Sequence, residues 1–124
     1  MPTLTREEIS KVSQAVLRAA GAPEGHARIV GEHLADANLA GHDSHGFIRI
    51  PQYVQRINEG LLDATAEPQV IRETAGMAQV NGHATFGQVV ATFAAELAIE
   101  KAGDTGVAMV TMSNLDHTGR IGTY

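Results

Sequence analysis

Apolar residues recur every three or four positions through the first third of the chain. Ile9, Val12, Val16 and Ala20 form one such series, the spacing of a helix with a single buried face. Thr5 followed by Glu8 fits a capping box at its start, and Gly21 falls where a glycine commonly ends a helix. A second series, Ile29, Val30, Leu34 and Ala37, follows Pro23 and Glu24 and closes at Gly41. Ile50, Val54, Ile57 and Leu61 mark a third helix, and Pro51 leaves its start open. With Ser44 as the N-cap the helix must kink at Pro51. With Pro51 as the first helical residue it begins later, and His45 lies in the approach loop.

The period changes near Pro68. Gln69–Glu73 and Met77–Val80 read as two short strands around Thr74-Ala75-Gly76, a hairpin. Phe86 to Lys101 reads as an Ala-rich helix with Val89, Val90, Phe93 and Leu97 inward, and Gly103 and Gly106 bracket a turn. Val107–Met112 is an apolar run expected to be a buried strand, so strand, helix and strand form a crossover unit. The pattern predicts an α+β fold: a helical module over residues 1–75, then the start of a sheet-containing domain over 76–124. Ser113 to Tyr124 follows that strand with no further element, so the chain reads as the N-terminal part of a longer protein.

Composition narrows the function classes. Among 124 residues there are 9 Lys+Arg against 14 Asp+Glu, a formal charge of −5. Such a chain lacks a nucleic-acid footprint and a patch for anionic membranes. Zero cysteines exclude disulfides, thiolate metal sites and cysteine nucleophiles. No window approaches the ~18–20 apolar residues of a membrane span, and the first residues lack a secretory apolar stretch. A soluble, cytoplasmic protein is the expectation.

Two segments carry candidate chemistry. In Ser44-His45-Gly46-Phe47-Ile48-Arg49 and on to Tyr53, His45, Arg49 and Tyr53 stand four residues apart, which on a helix places them on one face. A proton donor, a fixed cation and a phenol suit reduction of a carbonyl beside a carboxylate. Ser44 can orient His45 or donate to the same oxygen. The bland counterpart makes Ser44 a helix cap, His45 a surface turn residue and Arg49 a packing stem. The second segment, Asn114 through His117-Thr118-Gly119-Arg120-Ile121-Gly122, follows the last strand, where sheet proteins commonly hold ligands. Asp116 or Asn114 is positioned to fix the His117 tautomer, and the glycines permit close backbone approach. Gly82 to Val89 has P-loop spacing without its Lys and Ser/Thr, and no G-x-G-x-x-G or G-x-S-x-G occurs. A metal site would need His117 to join His42, Asp43 and His45; no metal is expected.

Asp43-Ser44-His45-Gly46-Phe47-Ile48-Arg49-Ile50-Pro51-Gln52-Tyr53 resembles the S-H-G-x-x-R-x-P-x-Y signature of the malate/L-lactate dehydrogenase family. Val80-Asn81-Gly82 through Gly87-Gln88 resembles its V-D-G-x-x-x-x-G-Q segment, with His83 where an acidic residue is frequent. Asn114 with His117 to Tyr124 resembles its N-x-x-H-x-G-x-x-G-x-Y segment. The resemblance implies a helical module beside a mixed-sheet, non-Rossmann cofactor domain in a homodimer. It implies an oxidoreductase that moves a hydride between NAD or NADP and a small 2-oxo or 2-hydroxy acid. His45, Ser44 and His117 then fall at catalytic positions, and Arg49, Tyr53 and Asn114 at substrate-binding ones. Most cofactor-binding residues of the family lie beyond the position of Tyr124, so the chain alone is expected to be inactive. A non-catalytic helical interaction or ligand-binding module is the competing reading, and it leaves His45, Arg49 and His117 scattered.

Overall fold

The computed structural model describes residues 3–124. Four helices are α1 (Arg6–Ala19), α2 (Glu24–Leu39), α3 (Ile50–Asn58) and α4 (Gly87–Thr105). Three strands are β1 (Gln69–Glu73), β2 (Met77–Asn81) and β3 (Met109–Ser113). The capping box at Thr5 forms in both directions, Glu8 N to Thr5 Oγ1 and Thr5 N to Glu8 Oε2. Gly21 beyond α1 takes φ +105°, a backbone that side chains resist.

The buried face of α1 is rotated from the centre of its apolar series, which leaves Ile9, Val16 and Ala20 half-buried at its edge. Ser10, Ser13 and Leu17 are buried, whereas Val12 is 44% exposed. The cause lies on α2: a Cβ at Gly31 would sit 2.8 Å from Gln14 Cγ and 3.0 Å from the Ser10 carbonyl oxygen. The two helices approach so closely that only small residues fit between them. Ser13 Oγ donates to Ile9 O and Gln14 Nε2 to Ser10 Oγ, so the buried polar groups are partnered.

α3 begins at Ile50 with Pro51 in its first turn, where proline loses no intrahelical bond. Ser44 is therefore not its N-cap, and no kink arises. Two short 3₁₀ turns, Asp43–His45 and Phe47–Arg49, lead into it on either side of Gly46. The sheet has the order β1-β2-β3. β1 and β2 form the antiparallel hairpin, with an irregularity between Val70 and Arg72, and β3 runs parallel to β2 from Met77↔Met109 to Asn81↔Ser113. β3 starts at Met109 rather than Val107, and α4 runs through Gly103 to end at Gly106, which adopts φ +81°. Ala78 and Val80 are buried while Met77 and Gln79 are exposed, the alternation of a half-covered sheet. One core joins the helical part to the sheet part: Leu17, Val30, Leu34, Tyr53, Leu62, Phe86 and Val89 pack together. Among the described residues no helix is long and apolar enough to cross a membrane.

Candidate active site

The loop that carries Ser44 and His45 is strapped to the end of α2. Asn38 Oδ1 accepts from Phe47 N at 2.8 Å, and Asn38 Nδ2 donates to Asp43 Oδ1 at 2.7 Å. Gly46 lies against that amide; a Cβ there would meet Asn38 Cγ at 2.5 Å. Gly46 is thus required by space, not by φ, which is −95°. Held this way, the half-buried His45 ring places Nδ1 2.9 Å from Ser44 Oγ.

His117 arrives from the other side, on the segment after β3. Its ring centroid lies 5.1 Å from that of His45. Beneath it α4 begins at Gly87, where a Cβ would strike the carbonyl of Asp116 and, at 2.5 Å, the His117 backbone. Asp116 N donates to Thr85 O, and the buried Asp116 carboxylate takes Arg56 and the His117 amide.

The tautomer of His117 is set by Tyr53. The phenol oxygen of Tyr53 is 2.8 Å from His117 Nδ1 and accepts from Gln88 Nε2 at 2.7 Å. Burial pushes the Tyr53 hydroxyl up to about 12, despite the opposing Gln88 hydrogen bond and Arg49 charge, so it keeps its proton and donates it to Nδ1. With Nδ1 accepting from Tyr53, the neutral form of His117 carries its proton on Nε2. Its pKa is lowered by burial first, then by the charges of Arg49 and His45, against Asp116. Asp116 and Asn114, the residues expected to orient this ring, do other work. Asp116 fixes the backbone, and Asn114, at φ +53°, donates to Asn81 Oδ1 at 3.0 Å. No hydrogen bond joins Asn114 to Ser44, His45 or Arg49 among the described residues.

Arg49 folds back over the loop, with Nε donating to Ser44 O at 2.6 Å and Nη1 to Gln52 Oε1 at 2.7 Å. Its charge is felt by both His117 and Tyr53. Tyr53 itself is fully buried, edge-on to Phe86. The structure therefore brings His45, Arg49 and His117 together, with Ser44 on His45 and Tyr53 behind His117. It does so without the continuous helical stripe that their spacing implied. Asn38 and Gln88 also support the site, and Asn38 carries no signature in a single sequence. Gln88 is marked by the Gly87-Gln88 pair that closes the V-D-G-x-x-x-x-G-Q segment.

The family model described as malate/L-lactate dehydrogenase matches residues 4–124. Hydroxycarboxylate dehydrogenase B of Escherichia coli is 44% identical over 111 residues, covering 90% of this chain and 31% of its own length. L-sulfolactate dehydrogenase of Methanothermobacter thermautotrophicus is 41% identical over 121 residues, covering 98% and 36%. The solved sulfolactate dehydrogenase from Methanocaldococcus jannaschii superposes with a TM-score of 0.95 at 36% identity, over 98% of this chain and 35% of that one. The chain spans about a third of the length of the curated relatives it matches.

Proposed function

This chain belongs to the malate/L-lactate dehydrogenase family, and from that premise we propose that it forms the acid-handling side of an oxidoreductase site. The reaction moves a hydride between NAD(P) and a small 2-oxo or 2-hydroxy acid. The convergence of His45, His117 and Arg49 carries this reading. A non-catalytic module has no need to place two imidazoles 5.1 Å apart beside a cation.

The roles follow from the hydrogen bonds. Arg49 pairs with the substrate carboxylate through N–H groups not spent on Ser44 and Gln52. His117, its Nδ1 occupied by Tyr53, presents Nε2–H to the carbonyl oxygen. His45, its Nδ1 held by Ser44, exchanges a proton through Nε2. As the carbonyl carbon gains a hydride, the developing alkoxide takes that proton and becomes the hydroxyl; oxidation runs the same steps backwards. Tyr53 acts here as a positioning residue behind His117. Asn114 contributes by shaping the loop after β3.

Arg49 and the two imidazoles suit an acid, whereas the glycine turns beside them give no pyrophosphate cradle. Gly119 lies on the ring of His33, and the start of α4 at Gly87 is covered by the Asp116–His117 backbone, so neither offers open amides to a pyrophosphate. In this reading most of the residues that hold NAD(P) belong to a part of the enzyme outside these 124 residues. Residues 1–75 supply the S-H-G-x-x-R motif and 76–124 begin the cofactor domain, in a cytoplasmic homodimer. In assays of the active dehydrogenase, Arg49→Lys is expected to raise KM for a 2-oxo acid, because the planar fork is lost. His45→Ala is expected to lower kcat by ~10²–10⁴-fold. A His45→Ala enzyme with normal kcat refutes the proton assignment, and normal turnover in both His45→Ala and His117→Ala refutes the site.

A further inference from the structure

We infer that His33 is a positioning residue of this site, whose ring anchors residues 118–124 and so fixes the backbone from which His117 reaches His45; the inference rests on the function proposed above. His33 lies buried on α2, outside both motifs. Its Nε2 accepts from Arg120 N at 2.8 Å, and its Nδ1 is 3.1 Å from the Tyr124 hydroxyl. That hydroxyl lies 3.2 Å from Thr118 O, to which it donates.

Only one proton order satisfies all three contacts. An amide N–H can only donate, so Nε2 is bare and the ring proton sits on Nδ1. Nδ1–H donates to the Tyr124 oxygen, whose own proton goes to the Thr118 carbonyl. The Tyr124 ring stacks on His33 at 5.3 Å with 12° between planes. Gly119, at φ +74°, lies so close that a Cβ would meet His33 Cδ2 at 2.6 Å. Among the described residues, every hydrogen bond from 118–124 to the rest of the chain passes through this ring; the others stay within the segment.

The clamp therefore needs a neutral imidazole. Burial lowers the His33 pKa, opposed by Asp36 on the same helix and aided by Arg120 on the segment and His45 on the facing loop. His117 and the Tyr124 phenol are the other titratable neighbours. A second proton would place Nε2–H against Arg120 N–H and release the segment. His117 would then keep its Tyr53 hydrogen bond but lose the backbone support that follows it.

The test uses nitrogen-resolved NMR of the whole 124-residue chain, with His33→Leu and His33→Gln. In the unaltered chain, His33 should show the Nδ1–H form. His33→Leu should lower exchange protection of the Arg120 amide by about tenfold, the effect of one lost buried hydrogen bond, and should shift the His117 ring nitrogens. His33→Gln restores an acceptor near the Nε2 position and should recover both. A general loss of stability predicts neither the His117 shift nor its rescue. Unchanged Arg120 protection and His117 shifts in His33→Leu would overturn the inference, as would failure of His33→Gln to rescue. Acid titration of the unaltered chain is independent of any variant's folding. The Arg120 amide should lose protection as His33 protonates, before Val30 in the core does; protection maintained through that titration overturns the clamp. Added oxaloacetate separates the two readings. It should shift the Arg49 Nη and His45 ring nitrogen signals of the unaltered chain; if it shifts nothing, the proposed function fails while the Arg120 amide still reports on the clamp.

Discussion

Tyr53 holds the most leverage of any single residue in the site, because its hydroxyl links two elements. It takes one hydrogen bond from Gln88 on α4 and gives one to His117 after β3. Tyr53→Phe keeps the ring in the core beside Phe86 but leaves the buried Gln88 amide N–H without its partner. Gln88 Oε1 is already unpaired among the described protein groups, so a second loss falls on the same side chain. Urea unfolding of Tyr53→Phe should show a loss of about 1–3 kcal/mol. His117 should at the same time lose its fixed tautomer, read from its ring nitrogen shifts. A variant with unchanged stability and an unchanged His117 would mean that the hydroxyl orients nothing.

Among the elements, α4 shows how one helix contains glycines with opposite meanings. Gly87 starts it against the backbone of Asp116 and His117, whereas Gly103 near its end has nothing within 4 Å of a built Cβ and no positive φ. Gly103→Ala should stabilise the chain by roughly 0.5–1 kcal/mol, since it only removes backbone freedom. Gly87→Ala must push the His117 segment away and should destabilise by about 1–3 kcal/mol, as overpacking does. Thermal unfolding of the two variants should move in opposite directions. Equal shifts would show that the approach of α4 to His117 is looser than the structure has it. The sequence marked both glycines, yet it assigned Gly103 to a turn. Spacing alone does not show that α4 continues to Thr105, with Gly106 in the left-handed conformation that ends it.

For the whole molecule, burial of neutral His33 and His117 makes stability depend on pH. Both native pKa values lie below the ordinary ~6.5. Between that value and the lower native ones the unfolded chain binds more protons, so stability must fall as pH falls through this window. At the alkaline end Tyr53 is the reverse case: its native value, about 12, exceeds the ordinary 10. Its contribution is complete below pH 10 and is lost as pH rises towards 12. Denaturant midpoints across pH should therefore fall on both sides of a neutral plateau. A midpoint that stays flat from pH 7 to pH 5 would show that the two imidazoles are not held neutral.

The sequence by itself determined the elements and the family to which the chain belongs. Helical and strand periods, the Thr5–Glu8 cap and the glycine stops depend on neighbours a few residues away, and they formed close to where the pattern placed them. The motifs around His45 and His117 marked the candidate site for the same reason, since side-chain type is local information. Tertiary structure alone decided how far the buried face of α1 is rotated towards Ser10 and Ser13, because Gly31 on another helix sets the approach. It also decided that His45, Arg49 and Tyr53 act from two turns and a helix instead of one stripe. His117 is oriented by Tyr53, 64 residues away, and its segment is anchored by His33, 87 residues from Arg120. Hydrogen bonds of that separation leave no period in the chain, because they depend only on where the core brings α2, α3, α4 and the end of β3 together.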